Sequence, residues 1–267
     1  MKIIGREILQ SLYRPSPESH KGDNGRVLVI AGSDKYHGAL LLAVQAASRL
    51  VDMVYVHSVA RNLALLDRLK HDTSVFISIL EEELWQIVGL VDAILVGPGL
   101  DESDGTIAMT KRLLIEYPEK KVVVDATALW HADPVWLRKN VIVTPHAREF
   151  AQVFKIEPAA ANVQKMAAEH HCVVALKGQY DYVSDGKELW ENRTGNVGMT
   201  KGGTGDVLAG LVGGLAAKND PLTAALAGAY LNGLAGDHLY EKQGTFYNAE
   251  DLIRELGQVW KKLMISI

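Results

Sequence analysis

The sequence predicts an α/β fold: a mainly parallel central sheet with helices on both faces and a late antiparallel hairpin. Three observations carry that expectation. Short apolar runs of strand length alternate with stretches of helical spacing through most of the 267 residues. Glycine or polar clusters close one run after another. Asp185-Gly186 separates two short β-type runs, a pairing that signals a two-residue hairpin turn. Three consecutive helical stretches at the C-terminal end break the strict alternation of an α/β barrel. No repeat, low-complexity segment or linker interrupts the chain. Residues 1–267 therefore read as a single domain, with 1–25 as an N-terminal arm.

The arm holds a short helical stretch at 8–13, then two prolines and clustered turn residues, and reads as a surface lead-in. Residues 26–31 are apolar and end at Gly32-Ser33, as a buried strand does. Residues 38–50 place Leu41, Leu42, Val44, Ala46 and Ala47 at helical spacing. A strand at 53–59, a helix at 61–70, a strand at 75–80 and a helix at 82–90 follow. The strand at 93–96 stops at Gly97-Pro98-Gly99, the helix at 106–117 leads to a strand at 122–124 ending at Asp125, and the strand at 141–143 ends at Thr144-Pro145-His146. A helix at 162–170 precedes a strand at 173–176, closed by Lys177-Gly178, and the hairpin runs are 182–184 and 189–191. Helices at 207–217, 222–241 and 249–263 complete the chain.

Composition narrows the class. A hydrophobic share of 48% with 22% charge suits a globular protein with a large core. The balance of 28 basic against 32 acidic residues, net −4, argues against nucleic acid as a partner. No apolar segment reaches about 18 residues, so no membrane span is expected. The start, Met-Lys-Ile-Ile-Gly-Arg-Glu, lacks the apolar core of a signal peptide. Cys172 is the one cysteine and opens an apolar run, so it is expected in the core of a cytoplasmic protein without disulfides.

The stretch from Asn196 to Gly214 joins a polar, glycine-rich turn to an apolar helix, with one acid, Asp206, at the junction. Gly202, Gly203 and Gly205 permit positive φ and close approach of a ligand. The helix start offers unpaired N–H groups to an anion. An acid beside such a cradle suits proton removal from a hydroxyl that attacks phosphorus. It equally suits an ordinary first-turn acid favoured by the helix dipole. Walker A does not fit, because Lys201 precedes the glycines; the dinucleotide fingerprint fails where Leu208 replaces its third glycine. The polar clusters at Gly32-Ser33, Gly97-Pro98-Gly99, Asp125, Thr144-Pro145-His146 and Lys177-Gly178 all follow strands. In an open parallel sheet they converge at the carboxyl ends, where ligands sit.

Taken in order, six segments resemble the ADP/ATP-dependent NAD(P)H-hydrate dehydratases of the ribokinase-like superfamily. They are Gly32-Ser33 with Tyr36 to Ala39, Val96 to Leu100, Val124-Asp125-Ala126, Thr144-Pro145-His146 with Glu149, Leu176-Lys177-Gly178, and Asn192 to Asn196 with Gly202 to Gly210. Gly203-Thr204-Gly205-Asp206 alone marks only the superfamily; the Thr-Pro-His segment and Asn196-Val-Gly-Met199 narrow it. The resemblance implies a ribokinase-like fold. It implies an enzyme that uses ADP or ATP, with Mg2+, to phosphorylate the C6 hydroxyl of hydrated NADH or NADPH and eliminate it, ADP being the expected donor. On that resemblance Asp206 is the base and a substrate contact, and Ala39, Gly99 and His146 line the hydrate. Lys177, Gly178, Gln179, Tyr180, Asp181 and Gly205 hold the adenine nucleotide. The backbone of Gly203, Thr204 and Gly205 forms the anion hole, and Asn196 closes the phosphate region. The resemblance further implies a homo-oligomer, a tetramer in the favoured case, and a separate epimerase acting on the same substrate.

Read without the family, His146 is equally a hydrogen-bonded turn histidine and Lys177 a solvated strand-end lysine. Asp125 reads first as a cap of the next turn and second as a phosphate- or metal-side acid. Glu149 either begins a helix or reaches Mg2+ through water, and the metal ligands stay unassigned. His170-His171 reads as structural. The chain departs from the family at Leu40-Leu41-Leu42, Val51-Asp52-Met53, Asp101 and Thr127. Two other readings stand beside the dehydratase: a ribokinase-like kinase for a sugar, pyrimidine or thiazole alcohol, and a non-catalytic nucleotide-binding protein. The presence of Asp206 argues against the latter, because binding alone needs no base.

Overall fold

A computed structural model describes residues 1–69 and 76–265. Its strands are β1 (Lys2–Ile3), β2 (Arg26–Ile30), β3 (Met53–His57), β4 (Ile77–Ser78), β5 (Ala93–Val96), β6 (Lys121–Val124), β7 (Val141–Val143), β8 (Val173–Leu176), β9 (Asp181–Ser184) and β10 (Leu189–Asn192). The helices are α1 (His37–Ala47), α2 (Ala60–Leu69), α3 (Leu84–Leu90), α4 (Asp104–Glu116), α5 (Ala126–Trp130), α6 (Ala147–Phe154), α7 (Ala160–Glu169), α8 (Thr204–Lys218), α9 (Pro221–Gln243) and α10 (Ala249–Ile265). The predicted ends at Lys70 and Val75 lie outside the described residues.

Among the described residues the strands form one sheet in the order β1-β10-β9-β8-β7-β6-β5-β2-β3-β4. From β4 across to β8 every pairing is parallel. The central strands β5, β7 and β8 are apolar and buried throughout because both faces are covered. Val27 and Val29 of β2 pack toward α1, α8, α9 and α10, while Leu28 and Ile30 pack toward α3 to α7. Cys172 is buried in the second of these layers, as expected. The chain winds outward from β2 through β3 to β4, then returns to β5 on the other flank of β2. That reversal opens a crevice at the strand ends. The two turns at its floor are tied together, with Gly32 N donating to Pro98 O at 2.8 Å.

Several expectations are corrected. The arm is a surface lead-in only in its second half, where 13–21 is irregular and largely exposed; before that β1 pairs in parallel with β10, and Ile4, Leu9 and Leu12 enter the core. Without β1, strand β10 would be an exposed edge with unpaired backbone groups. The Asp185-Gly186 pair sits in a four-residue loop, since Ser184 is opposite Leu189. Asp185 Oδ1 accepts from the N–H groups of Lys187 and Glu188, and this side-chain turn lengthens the connection. Gly186 has φ +90°, and a Cβ there would lie 2.5 Å from Ala168 Cα in α7. Helices α5 and α6 escape the sequence pattern because they are short, five and eight residues. Strand β4 covers only two of the five predicted positions that are described.

Candidate active site

The start of α8 is fixed by packing. Gly203 is its N-cap at φ +96°, and a Cβ there would come within 2.6 Å of Leu42 and 2.9 Å of Ala249. A side chain is excluded on steric grounds as well as by the left-handed backbone. The Thr204 hydroxyl donates to Met199 O at 2.7 Å and Lys201 O at 3.0 Å, which closes the loop against the helix. Lys201 turns away from the helix start, donating to Tyr247 O at 2.5 Å and also to Thr245 O. Asn196 is committed to the same loop. Its Nδ2 donates to Asp237 at 3.0 Å, while its Oδ1 accepts from Gly198 N at 2.9 Å and Tyr247 OH at 2.8 Å. The glycine-rich segment is thus anchored by side chains, leaving the helix N-terminus open on one side.

Opposite α8, the ends of β6, β7 and β8 bring a charged pair together. Lys177 Nζ lies 2.7 Å from Asp125 Oδ1, which also accepts from Thr144 Oγ1 at 2.8 Å. Asp125 is 2% exposed. It stands at the N-cap of α5 yet makes no side-chain cap bond, so its first sequence reading as a turn cap is corrected. Lys177 is likewise not a solvated strand-end lysine. Burial opposes its charge, but Asp125, Glu149 and Asp206 outweigh burial and hold the ammonium above its ordinary value. Asp206, in the first turn of α8, feels the opposite balance. Burial, followed by repulsion from Asp125, pushes its carboxyl up to about 6, with Lys177 opposing. A base with that affinity is matched to proton transfer near neutrality.

His146 caps α6. Its Nδ1 accepts from the N–H groups of Arg148 and Glu149, both at 3.1 Å, so the proton resides on Nε2. Glu149 reciprocates by accepting from His146 N at 2.7 Å and from Trp130 Nε1 at 3.0 Å. The helix-start reading of Glu149 therefore holds. A backbone bridge joins His146 to Lys177, which seats the cap beside the charged pair.

A cleft of about 710 Å³ runs along the open side of α8. Lys177, Gly178, Gln179, Tyr180, Asp181, Thr204 and Gly205 line it, so the nucleotide set chosen from sequence is brought together. Asp181 shapes its rim, accepting from Gly178 N at 3.1 Å and from Asn192 Nδ2 at 2.9 Å. Gly203, Asp206, Ala39, Gly99 and His146 are outside this lining. Ala39 and Gly99 meet at the β2/β5 crevice: a Cβ on Gly99, which has φ +66°, would lie 2.9 Å from Ala39 Cβ. Thr127 Oγ1 donates to Leu100 O at 2.9 Å and supports that turn. Sequence reasoning assigned no site role to Arg193, Thr194, Gly195, Asn232 and Gly233, which also line the cleft. The Asn192-Arg-Thr-Gly195 segment carries part of the family resemblance, but Asn232 and Gly233 lie in α9 and carry no local signal.

Among the described residues, no group of three or more His, Cys, Asp or Glu gathers as a metal centre. Mg2+ held through substrate phosphates needs only one or two carboxylates. Asp125 fits that demand, since both its side-chain bonds fall on Oδ1.

Comparison with known proteins gives the context for this geometry. The family model described as NAD(P)H-hydrate dehydratase matches residues 27–258. The ADP-dependent (S)-NAD(P)H-hydrate dehydratase of Cenarchaeum symbiosum is 36% identical over 97% of this chain and 97% of its own length. The bifunctional NAD(P)H-hydrate repair enzyme of Methanocaldococcus jannaschii is also 36% identical, over 97% of this chain and 52% of its own. The chain thus spans about half the length of such bifunctional relatives. A ribokinase-like superfamily protein of Enterococcus faecalis superposes with TM-score 0.87 at 25% identity, covering 98% of this chain and 96% of its own. The ribokinase-like fold expected from the motifs is the fold observed.

Proposed function

The chain belongs to the NAD(P)H-hydrate dehydratase family, and from that premise we propose that it restores NADH or NADPH from the (S)-hydrate, with ADP as phosphoryl donor. The observation that carries this reading is Asp206, a partly buried carboxyl raised to about 6 at the mouth of an open helix N-terminus. In the proposed reaction Asp206 takes the proton of the C6 hydroxyl as its oxygen attacks the β-phosphorus of ADP. The new O–P bond forms while the bond to the bridging oxygen breaks and AMP leaves. The ring nitrogen then pushes out phosphate, and loss of the C5 proton restores the double bond.

The other residues take roles consistent with their positions. The N–H groups of Gly203, Thr204 and Gly205 receive charge on the transferred phosphoryl. Lys177, held by Asp125, presents its ammonium toward the phosphates, and residues 178–181 carry the nucleoside. Ala39, Gly99 and the Nε2–H of His146 face the hydrate. Asp125 would hold Mg2+ carried in with the phosphates, and the bound ion would neutralise phosphate charge.

One assay tests the proposal. Freshly prepared (S)-hydrate with ADP and Mg2+ should regain reduced-nicotinamide absorbance and release AMP and phosphate. A stable phosphorylated alcohol without elimination would indicate a kinase. No reaction with ADP or ATP would overturn the dehydratase reading.

A further inference from the structure

Asn232 stands in the middle of α9, flanked by Leu231 and Gly233, and is 6% exposed. Its Oδ1 is buried with no hydrogen-bond partner. A buried amide oxygen left unpaired costs about 1–3 kcal/mol, so its retention calls for a reason. Its Nδ2 donates to Thr204 O across 3.5 Å. Exchanging the amide's nitrogen and oxygen would set two acceptors against each other, so this contact favours the stated orientation. Several other buried side-chain atoms among the described residues lack partners, but Asn232 is the residue of that group that lines the 710 Å³ cleft.

A partner supplied by a bound nucleotide would have to be a donor. Phosphate oxygens at neutral pH accept only, which leaves the ribose hydroxyls and the amino group of the base. Thr204 opens α8, whose N-terminus receives the phosphates in the reading above, and Asn232 is one hydrogen bond from Thr204. The nucleotide group next to the phosphates is the ribose. We infer that Asn232 Oδ1 accepts a hydrogen bond from a ribose hydroxyl of the bound nucleotide, making Asn232 a residue that selects nucleotides bearing that hydroxyl over analogues that lack it. This inference rests on adenine-nucleotide binding in the cleft. A site built to bond a hydroxyl rejects the analogue lacking it, because the buried acceptor is left unpaired again.

Calorimetric titration of the full chain with ADP, 2′-deoxy-ADP, 3′-deoxy-ADP and inosine diphosphate tests it. Wild type should bind one of the two deoxy analogues at least about tenfold more weakly than ADP. Asn232→Leu should bind ADP and both analogues within about twofold of one another. The comparison is a ratio within each protein, so a general loss of affinity does not obscure it. Equal binding of ADP and both deoxy analogues by wild type would overturn the inference, as would a preference retained in Asn232→Leu. Weak binding of inosine diphosphate alone would also overturn it, by moving the contact to the base. ADP that fails to bind wild type at all would instead count against the nucleotide reading itself.

Discussion

Replacing Asp206 by Asn should separate stability from chemistry in opposite directions. The carboxyl rises from an ordinary 3.8 to about 6 in the folded chain. Between those values the native state keeps a proton that the unfolded chain releases. Stability therefore falls as pH rises through that window, and the full cost is present above about 6. A shift of about two pH units corresponds to about 3 kcal/mol at 1.36 kcal/mol per unit. Asn is a neutral isostere, so Asp206→Asn should be more stable than wild type by up to about 3 kcal/mol at pH 7.5, and by about half that at pH 5. Urea unfolding at the two pH values reads this directly. In the hydrate assay the same variant should bind ADP yet lose turnover by about 10²-fold or more, the scale of general-base catalysis. Wild-type kcat/KM should fall below pH 6, with about a tenth of Asp206 ionised at pH 5. An Asn variant within about threefold of wild-type turnover would refute the base assignment. An unchanged stability at pH 7.5 would refute the electrostatic account.

Other perturbations probe the frame around it. Lys177→Met leaves Asp125 buried and unpaired, and should cost about 3–5 kcal/mol in urea unfolding, with partial recovery on adding Asp125→Asn; a cost below about 1 kcal/mol would contradict the pairing. Gly97→Ala places a Cβ 1.8 Å from Asp125 O at φ +128° and should lower stability by about 3 kcal/mol or more. Gly202→Ala meets nothing within 4 Å, so the free protein should change by no more than about 0.5 kcal/mol. His146→Asn keeps a helix cap, so stability should hold within about 0.5 kcal/mol while KM for the hydrate rises and KM for ADP stays. Parallel changes in both constants would make His146 a cap alone.

Much of the fold was legible in the sequence because parallel strands buried on both faces leave unbroken apolar runs, and each run here ends in a polar or glycine signal. The glycine-rich start of α8 was legible for a similar reason, since Gly203 answers a local need for positive φ. What spans distant segments was not. Asp125 looked like a turn cap and Lys177 like a solvated strand end. Their pairing depends on β6 and β8 flanking β7, and strand order is set by packing across the whole sheet. The same limit hid Asn232, whose unpaired oxygen exists only where α9 crosses the start of α8, and the burial of Leu9, which lies in a 3-10 turn packed against α9. Local backbone geometry and hydrophobic period were determined by the sequence alone. Which charges are buried, which are paired and which acceptor is left for a ligand was decided by tertiary structure, because desolvation and Coulomb energy depend on neighbours that the chain brings together only on folding.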